Sequence, residues 1–336
     1  MVARICLCAL MALLWGCERQ PTQPGGSDAA TQPAGAVEAP LRIAVIPKGT
    51  THDFWKSVHA GALKAERELA NVQIIFRGPE KEDDREQQIS LVQNFISSRV
   101  DAIVLAPLDN KALLPAVQQA TAAKIPVVII DSSLAGEVGK DFVSYAATNN
   151  YQGGQLAGRR LAEVLDGKGR ALLLRYQEGS ASTVQRERGF VESIAEFPGI
   201  ELIDPKRYAG PTRATAQEAA ENLLTVHSDV QGIFCPNESS TFGMLLALRS
   251  RGLAGKVRFV GFDASPGLVE ALSKGELDGL VVQNPLKMGY VGVKTAADYL
   301  RGKPVEPLQD TGVVLVTRQT MDEPEYKELL SPDRSE

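Results

Sequence analysis

The stretch Val257–Pro266, VRFVGFDASP, reads as a buried strand: apolar residues around one glycine, stopping at Asp263, with Ala-Ser-Pro opening a turn or helix behind it. A near copy lies upstream. Lys124-Ile-Pro-Val-Val-Ile-Ile-Asp131-Ser-Ser aligns with Lys256-Val-Arg-Phe-Val-Gly-Phe-Asp263-Ala-Ser. At almost the same offset, Val100-Asp-Ala-Ile-Val-Leu-Ala-Pro107 resembles Val230-Gln-Gly-Ile-Phe-Cys-Pro236. The chain thus reads as two related halves, each with an apolar strand that delivers an aspartate at its carboxyl end. Ligands of open α/β sheets bind just outside those ends. Two such ends facing each other predict a cleft with one aspartate on each wall.

Strands and helices alternate on both sides of these markers. The first half predicts strands at 41–47, 72–76, 102–106, 127–131 and 142–146, with helices at 53–70, 83–98 and 111–123. The second half predicts strands at 171–174, 201–203, 232–235, 257–262, 280–282 and 313–316, with helices at 151–165, 183–196, 213–227, 239–251, 267–273 and 286–300. That rhythm implies two doubly wound α/β domains with parallel sheets and helices on both faces. From Met321 the chain is polar with little pattern.

At 336 residues the chain is long enough for two ordinary domains, and 44% hydrophobic with 23% charged residues is soluble-globular composition. A net charge of -5 and the lack of a Lys/Arg cluster on any one helix argue against a nucleic-acid surface. Residues 1–17, MVARICLCALMALLWGC, hold one arginine, a short apolar run and Leu14-Trp-Gly-Cys17. The segment resembles a bacterial lipoprotein signal that is cleaved before Cys17 and lipidated there; an ordinary secretory signal with a chance cysteine is the alternative. Residues 18–40, rich in Pro, Gln, Gly, Ala, Ser and Thr, read as a flexible tether. Of the four cysteines only Cys235 lies in the folded body, on an apolar strand, so a disulfide framework is not expected.

The search for catalysis is negative: no G-x-S-x-G elbow, no P-loop, and His52, His59 and His227 in no metal-ligand spacing. These histidines read as surface or loop residues, with no obvious carboxylate for His52 or His59. Gly153-Gly-Gln-Leu-Ala-Gly158 reads as a helix start near a domain crossover rather than a phosphate cradle. What remains is a polar and aromatic set at expected strand ends. Phe54 and Trp55 follow the first strand and Asp131 ends the fourth. Arg186, Asn237, Asp263 and Gln283 follow strands of the second half. Carboxylates that accept hydroxyls, an arginine and amides that donate, and an aromatic face for C–H groups suit a neutral polyhydroxylated ligand. Each residue alone has a structural alternative: an aspartate after a strand is often a helix cap, and Phe54 fits a core.

Together these residues resemble the ribose-binding-protein-like branch of the type I periplasmic binding proteins, over roughly Leu41 to Arg318. The motifs are His52-Asp-Phe-Trp55, Arg186-Glu-Arg-Gly-Phe190, Cys235-Pro-Asn237-Glu, Val260-Gly-Phe-Asp263 and Val282-Gln283-Asn-Pro285. The resemblance implies two Rossmann-like domains joined by three crossovers: one lobe of 41–146 plus 284–310, the other of 147–283 plus 311–328, and a tail at 329–336. It implies Phe54 and Trp55 as a stacking pair and Asp131, Arg186, Asn237, Asp263 and Gln283 as polar ligand contacts. No cofactor, no metal and no catalytic residue follow. The implied protein is a monomeric, lipid-anchored binder in the periplasm or cell envelope that hands a monosaccharide or small polyol to an ABC importer permease. Ser132 stands where close ribose binders carry arginine, and an aromatic near Pro211 is missing unless Tyr208 substitutes. One fewer cation is therefore expected in the pocket. Asp131 and Asp263 are expected to repel across an empty cleft. A sugar sensor and a glycoside-processing enzyme are the alternatives; a related repressor would need a helix-turn-helix where the leader stands.

Overall fold

The structure, a computed structural model, describes residues 39–330. The leader, Cys17 and residues 18–38 of the tether lie outside the described residues, as do residues 331–336. The first sheet contains β1 (Leu41–Ile46), β2 (Val72–Phe76), β3 (Ala102–Leu105), β4 (Val127–Ile130), β5 (Ser144–Ala147) and β11 (Leu308–Asp310), in the order β11-β5-β4-β3-β1-β2. The second contains β6 (Lys168–Leu173), β7 (Gly199–Ile203), β8 (Gly232–Phe234), β9 (Arg258–Phe262), β10 (Gly279–Gln283) and β12 (Val313–Val316), in the order β12-β10-β9-β8-β6-β7. The two orders match position for position, so the repeat read in the sequence is a repeat of topology. Central strands such as β4 are apolar and fully buried throughout, because helices cover both faces of each sheet.

On the first sheet, α1 (Asp53–Glu68) and α9 (Pro285–Leu300) cover one face and α2 (Arg85–Ser97) and α3 (Leu114–Ala122) the other. On the second, α4 (Asn150–Val164) and α5 (Ala181–Ile194) face α6 (Arg213–Val226), α7 (Glu238–Ser250), α8 (Pro266–Ser273) and α10 (Pro324–Leu330) across the strands. The chain passes between the sheets after β5, after β10 and between β11 and β12.

Three features differ from the sequence reading. β12 pairs with β10 antiparallel, since it follows β11 through only Thr311 and Gly312, too short a link for a parallel return. β11, Leu-Gln-Asp, is a polar edge strand beside β5 that carries no apolar pattern. Residues beyond Met321, read as patternless, form α10, and its Leu330 is buried in the second lobe's core.

Two helix pairs touch backbone to backbone. A Cβ on Gly61 of α1 would lie 1.9 Å from the carbonyl oxygen of Leu286, and one on Gly289 of α9 would lie 2.0 Å from that of Val58. Gly154 of α4 and Gly189 of α5 repeat the device against Arg186 and Tyr151. The glycines around 153–158 thus serve helix packing. A methyl at Gly61 forces α1 and α9 apart. Gly61→Ala is expected to cost about 1–3 kcal/mol and roughly 5 °C in Tm by thermal unfolding; an unchanged Tm would refute the close approach.

Candidate functional site

The carboxyl ends of both sheets meet at one cavity. All seven residues singled out in the sequence line it: Phe54, Trp55, Asp131, Arg186, Asn237, Asp263 and Gln283. Phe54 and Trp55 open α1 and pack edge to face, with ring centroids 4.9 Å apart. Asp131 directly follows β4 and Asp263 directly follows β9. Both adopt left-handed backbone, φ 60° and 70°, a conformation Asp tolerates better than most residues. The same strained turn at equivalent ends aims both carboxylates at the cavity.

Each polar group is fixed by neighbours. Asp263 Oδ1 accepts from Gln283 Nε2 at 2.6 Å, and Oδ2 accepts from the Glu238 backbone N–H at 3.0 Å. Arg186 donates through Nε to Asn150 Oδ1 (2.7 Å) and through Nη1 to the Pro236 carbonyl (2.9 Å). Its guanidinium lies 3.9 Å over the Phe262 ring and 4.0 Å from Asp263. Burial pushes the Asp263 carboxyl up to about 6, against the pull of Arg186 and Gln283. Asn237 is the N-cap of α7 as well as a lining residue, with its side chain exchanged against Ser240 in a capping box. Capping, weighed in the sequence only for the aspartates, is thus part of the role of Asn237. Asp131 caps no helix, whereas Asp263 holds the first N–H of α7.

The sequence reading missed half of the lining. Lys48, just past β1, places Nζ 2.7 Å from Asp131 Oδ2 and donates to Ser182 Oγ at 3.0 Å. A cation is therefore present at that wall, supplied from β1 rather than from position 132. Ser132 Oγ instead accepts from the Ser182 backbone N–H across the cleft at 3.0 Å. Tyr208 is no substitute floor; it is largely exposed and pairs with Arg175 away from the cavity. With Lys48 beside Asp131 and Arg186 beside Asp263, each carboxylate has its own cation, and the expected repulsion between the two is largely compensated.

His52 is the largest correction. It is buried, not a surface residue, and its Nδ1 stands 2.6 Å from Glu82 Oε1. Burial lowers a histidine's pKa, yet the charge and hydrogen bond of Glu82 outweigh it and raise His52 to about 9. Burial likewise raises a carboxyl, yet His52, with Lys48 and Trp55, holds Glu82 down to about 2. Glu82 also accepts from Trp55 Nε1 at 2.7 Å. From the other lobe, Tyr176 Oη donates to its Oε2 at 2.8 Å and Gln177 Nε2 to its carbonyl at 2.6 Å. His52 and Glu82 are thirty positions apart, so local spacing could not reveal the pair. Among the described residues no group of three or more His, Cys, Asp or Glu is placed to hold a metal ion, and no helix is long and apolar enough to cross a membrane.

Residues 43–304 match the family described as periplasmic binding protein domain. The chain is 30% identical to the D-ribose/D-allose-binding protein of Pseudomonas aeruginosa over 82% of this chain and 88% of that protein. It is 29% identical to the ribose import binding protein of Escherichia coli, over 82% and 90% respectively. Its fold is similar to an ABC transporter solute binding protein from Agrobacterium vitis with bound D-fucose, with a TM-score of 0.83 and 37% identity over 86% of this chain and 99% of that one. It is equally similar in fold to a carbohydrate transporter solute binding protein from Agrobacterium radiobacter in complex with D-arabinose, with a TM-score of 0.83 and 33% identity over 87% and 99%.

Proposed function

The chain belongs to the periplasmic binding protein domain family, and we propose that it captures a monosaccharide or small polyol between its lobes outside the cytoplasm and delivers it to an ABC importer. The observation that carries this reading is the cavity itself. Both sheets contribute a strand-ending carboxylate, and amides, a guanidinium and an aromatic pair surround them. Carboxylates and amides match sugar hydroxyls, and aromatic rings match the C–H faces of a sugar ring. The relatives named for ribose, allose and fucose support the same ligand class. Asp131, Arg186, Asn237, Asp263 and Gln283 would be the polar contacts and Phe54 and Trp55 the stacking ones, in a binder without catalytic turnover.

The lobes we assign are 41–146 plus 284–310 and 147–283 plus 311–328, the second carried on by α10 to Leu330, working as a monomer hinged at the three crossovers. Ligand contacts shared by both lobes favour the closed arrangement, so ligand shifts the population toward it. At the leader, Cys17 would carry lipid and the residues after it would tether the body to the membrane. Cys17→Ala should release the protein from membranes; an unlipidated wild-type mature chain by intact mass would contradict the anchor.

Thermal unfolding with D-ribose, D-allose, D-fucose, D-arabinose and myo-inositol tests the function. A ligand at a hundred times its dissociation constant should stabilise the protein by about 2.7 kcal/mol. Small-angle scattering should show a smaller radius of gyration with that ligand than without it. No stabilisation by any of the five would overturn the reading, and an unchanged radius at saturation would remove hinge closure from it.

A further inference from the structure

Five buried side-chain atoms among the described residues have no hydrogen-bond partner, and all five are oxygens. Two are the hydroxyls of Ser180 and Ser265. The other three are acceptors on residues that line the cavity: Asp131 Oδ2, Glu238 Oε2 and Gln283 Oε1. Asp131 Oδ2 has Lys48 beside it as an ion-pair partner, without hydrogen-bond geometry. Meanwhile several of the cavity's donors are bonded to protein acceptors. Trp55 and Tyr176 both donate to Glu82, Gln283 Nε2 donates to Asp263, and Lys48 donates to Ser182. Arg186 has turned Nε and Nη1 onto Asn150 and Pro236. An incoming molecule thus meets three acceptors whose burial is unfavourable until a donor reaches them.

Glu238 matters most here. It opens α7, its side chain is buried, and Arg213 at the rim holds Oε1 while Oε2 has no partner. The lining also holds four carboxylates, Glu82, Asp131, Glu238 and Asp263, against Lys48, His52 and Arg186, with Arg213 reaching Glu238 from outside the lining. We infer that this cavity selects its ligand through the donors the ligand brings, with Glu238 as an acceptor beyond the seven residues proposed above; it takes sugars with free hydroxyls or an amino group and rejects sugar acids and sugar phosphates, an inference that rests on the sugar-binding reading. A hydroxyl or an ammonium supplies hydrogens to the three acceptors, and the ammonium also matches the charge. A carboxylate or phosphate brings acceptors and negative charge to a wall of acceptors, a mismatch that costs affinity because polar groups are left unpaired.

Titration calorimetry tests this on the intact protein with D-ribose, D-allose, D-fucose, D-arabinose and myo-inositol as parents, then with the monodeoxyfluoro, monoaminodeoxy and phosphorylated or carboxylated derivatives of each parent that binds. Fluorine accepts but does not donate. Fluorination should weaken binding about ten- to a hundredfold at two or more positions. At least one amino derivative should bind within about threefold of its parent or tighter, and every anionic derivative should lose about a hundredfold or more. Glu238→Gln should weaken the parent about tenfold and the best amino derivative by more, since an amide loses the charge. An anionic derivative that binds as well as its parent, uniform tolerance of fluorine, or loss of every amino derivative would overturn the inference. If Glu238→Gln does not fold, the derivative series on wild type decides alone. Failure of all five parents would instead overturn the sugar-binding reading, and this inference with it.

Discussion

Glu82→Gln is expected to return the pKa of His52 from about 9 to below its ordinary 6.5 and to remove about 3 kcal/mol of stability at pH 6. The substitution keeps the size of the side chain and removes its charge. His52 is then a buried imidazole with no anion bonded to it, and burial, the largest influence on it, favours its neutral form. The displacements of His52 and Glu82 describe one interaction, so the figure is counted once. Affinity should fall as well. Glu82 is where the lobes meet: Oε2 accepts from Tyr176 and the backbone carbonyl from Gln177. A less populated closed state lowers apparent affinity by the same fraction, and about tenfold is expected from one weakened charged hydrogen bond. Tyr176→Phe separates the two effects, since it removes the cross-lobe bond to the Glu82 side chain and leaves the His52–Glu82 pair in place. Histidine titration by NMR is the direct check. A His52 that titrates alike in wild type and Glu82→Gln would mean that the pair does not form.

The pair also sets a pH window. Glu82 is depressed to about 2, so its contribution is complete above its ordinary 4.5 and is lost as pH falls toward 2. His52 is raised to about 9, so its contribution is complete below 6.5 and is lost as pH rises through 9. Full stabilisation therefore lies between about pH 4.5 and 6.5, and Glu82→Gln should flatten both flanks of the stability profile.

What the sequence made legible follows from periodicity and repetition. Apolar runs ending at Asp131 and Asp263 name the central strands and their functional ends, because a strand buried on both faces has no polar alternation to confuse it. The same logic fails at the sheet edges. Leu308–Asp310 is a strand by pairing with β5, not by composition, and the antiparallel sense of Val313–Val316 depends on the length of the link before it. In the cavity, residues that end strands were readable one by one. Lys48, His52, Glu82 and Glu238 were not, because their roles exist only through partners brought near by folding: Asp131 is 83 positions from Lys48, and Tyr176 is 94 from Glu82. Lys48 shows the risk in matching positions singly. Serine at position 132 predicts one cation fewer beside Asp131, yet Lys48, two residues past β1, supplies a cation there.

Asp263→Asn should weaken sugar binding and stabilise the unliganded protein. The carboxyl of Asp263 is raised from 3.8 to about 6, chiefly by burial, with Arg186 and Gln283 opposing. A raised acid contributes stability below its unfolded value and loses it as pH rises through the folded one. Above pH 6 the ionised form therefore weakens the fold, by up to about 3 kcal/mol, even after Arg186 has offset part of the burial. Asparagine removes that burden. It tolerates the left-handed φ of 70° as aspartate does. Its oxygen can keep the Glu238 N–H, and a flip of the Gln283 amide lets Oε1, a buried acceptor with no partner, take the new amide hydrogen. A gain of about 1–3 kcal/mol is expected at pH 7, shrinking to nothing near pH 4, where wild-type Asp263 is largely protonated too. Binding moves the other way. The ionised carboxylate is the stronger acceptor for a ligand hydroxyl, so affinity should drop about ten- to a hundredfold in the variant. In wild type, affinity should decline as pH falls below about 6. Chemical denaturation and calorimetry across pH 4 to 8 separate the alternatives. If Asp263→Asn binds as wild type, the residue is a structural cap for α7. If the variant is destabilised at pH 7, the charge serves chiefly as the partner of Arg186, and strand-end strain is not exchanged for binding at this position.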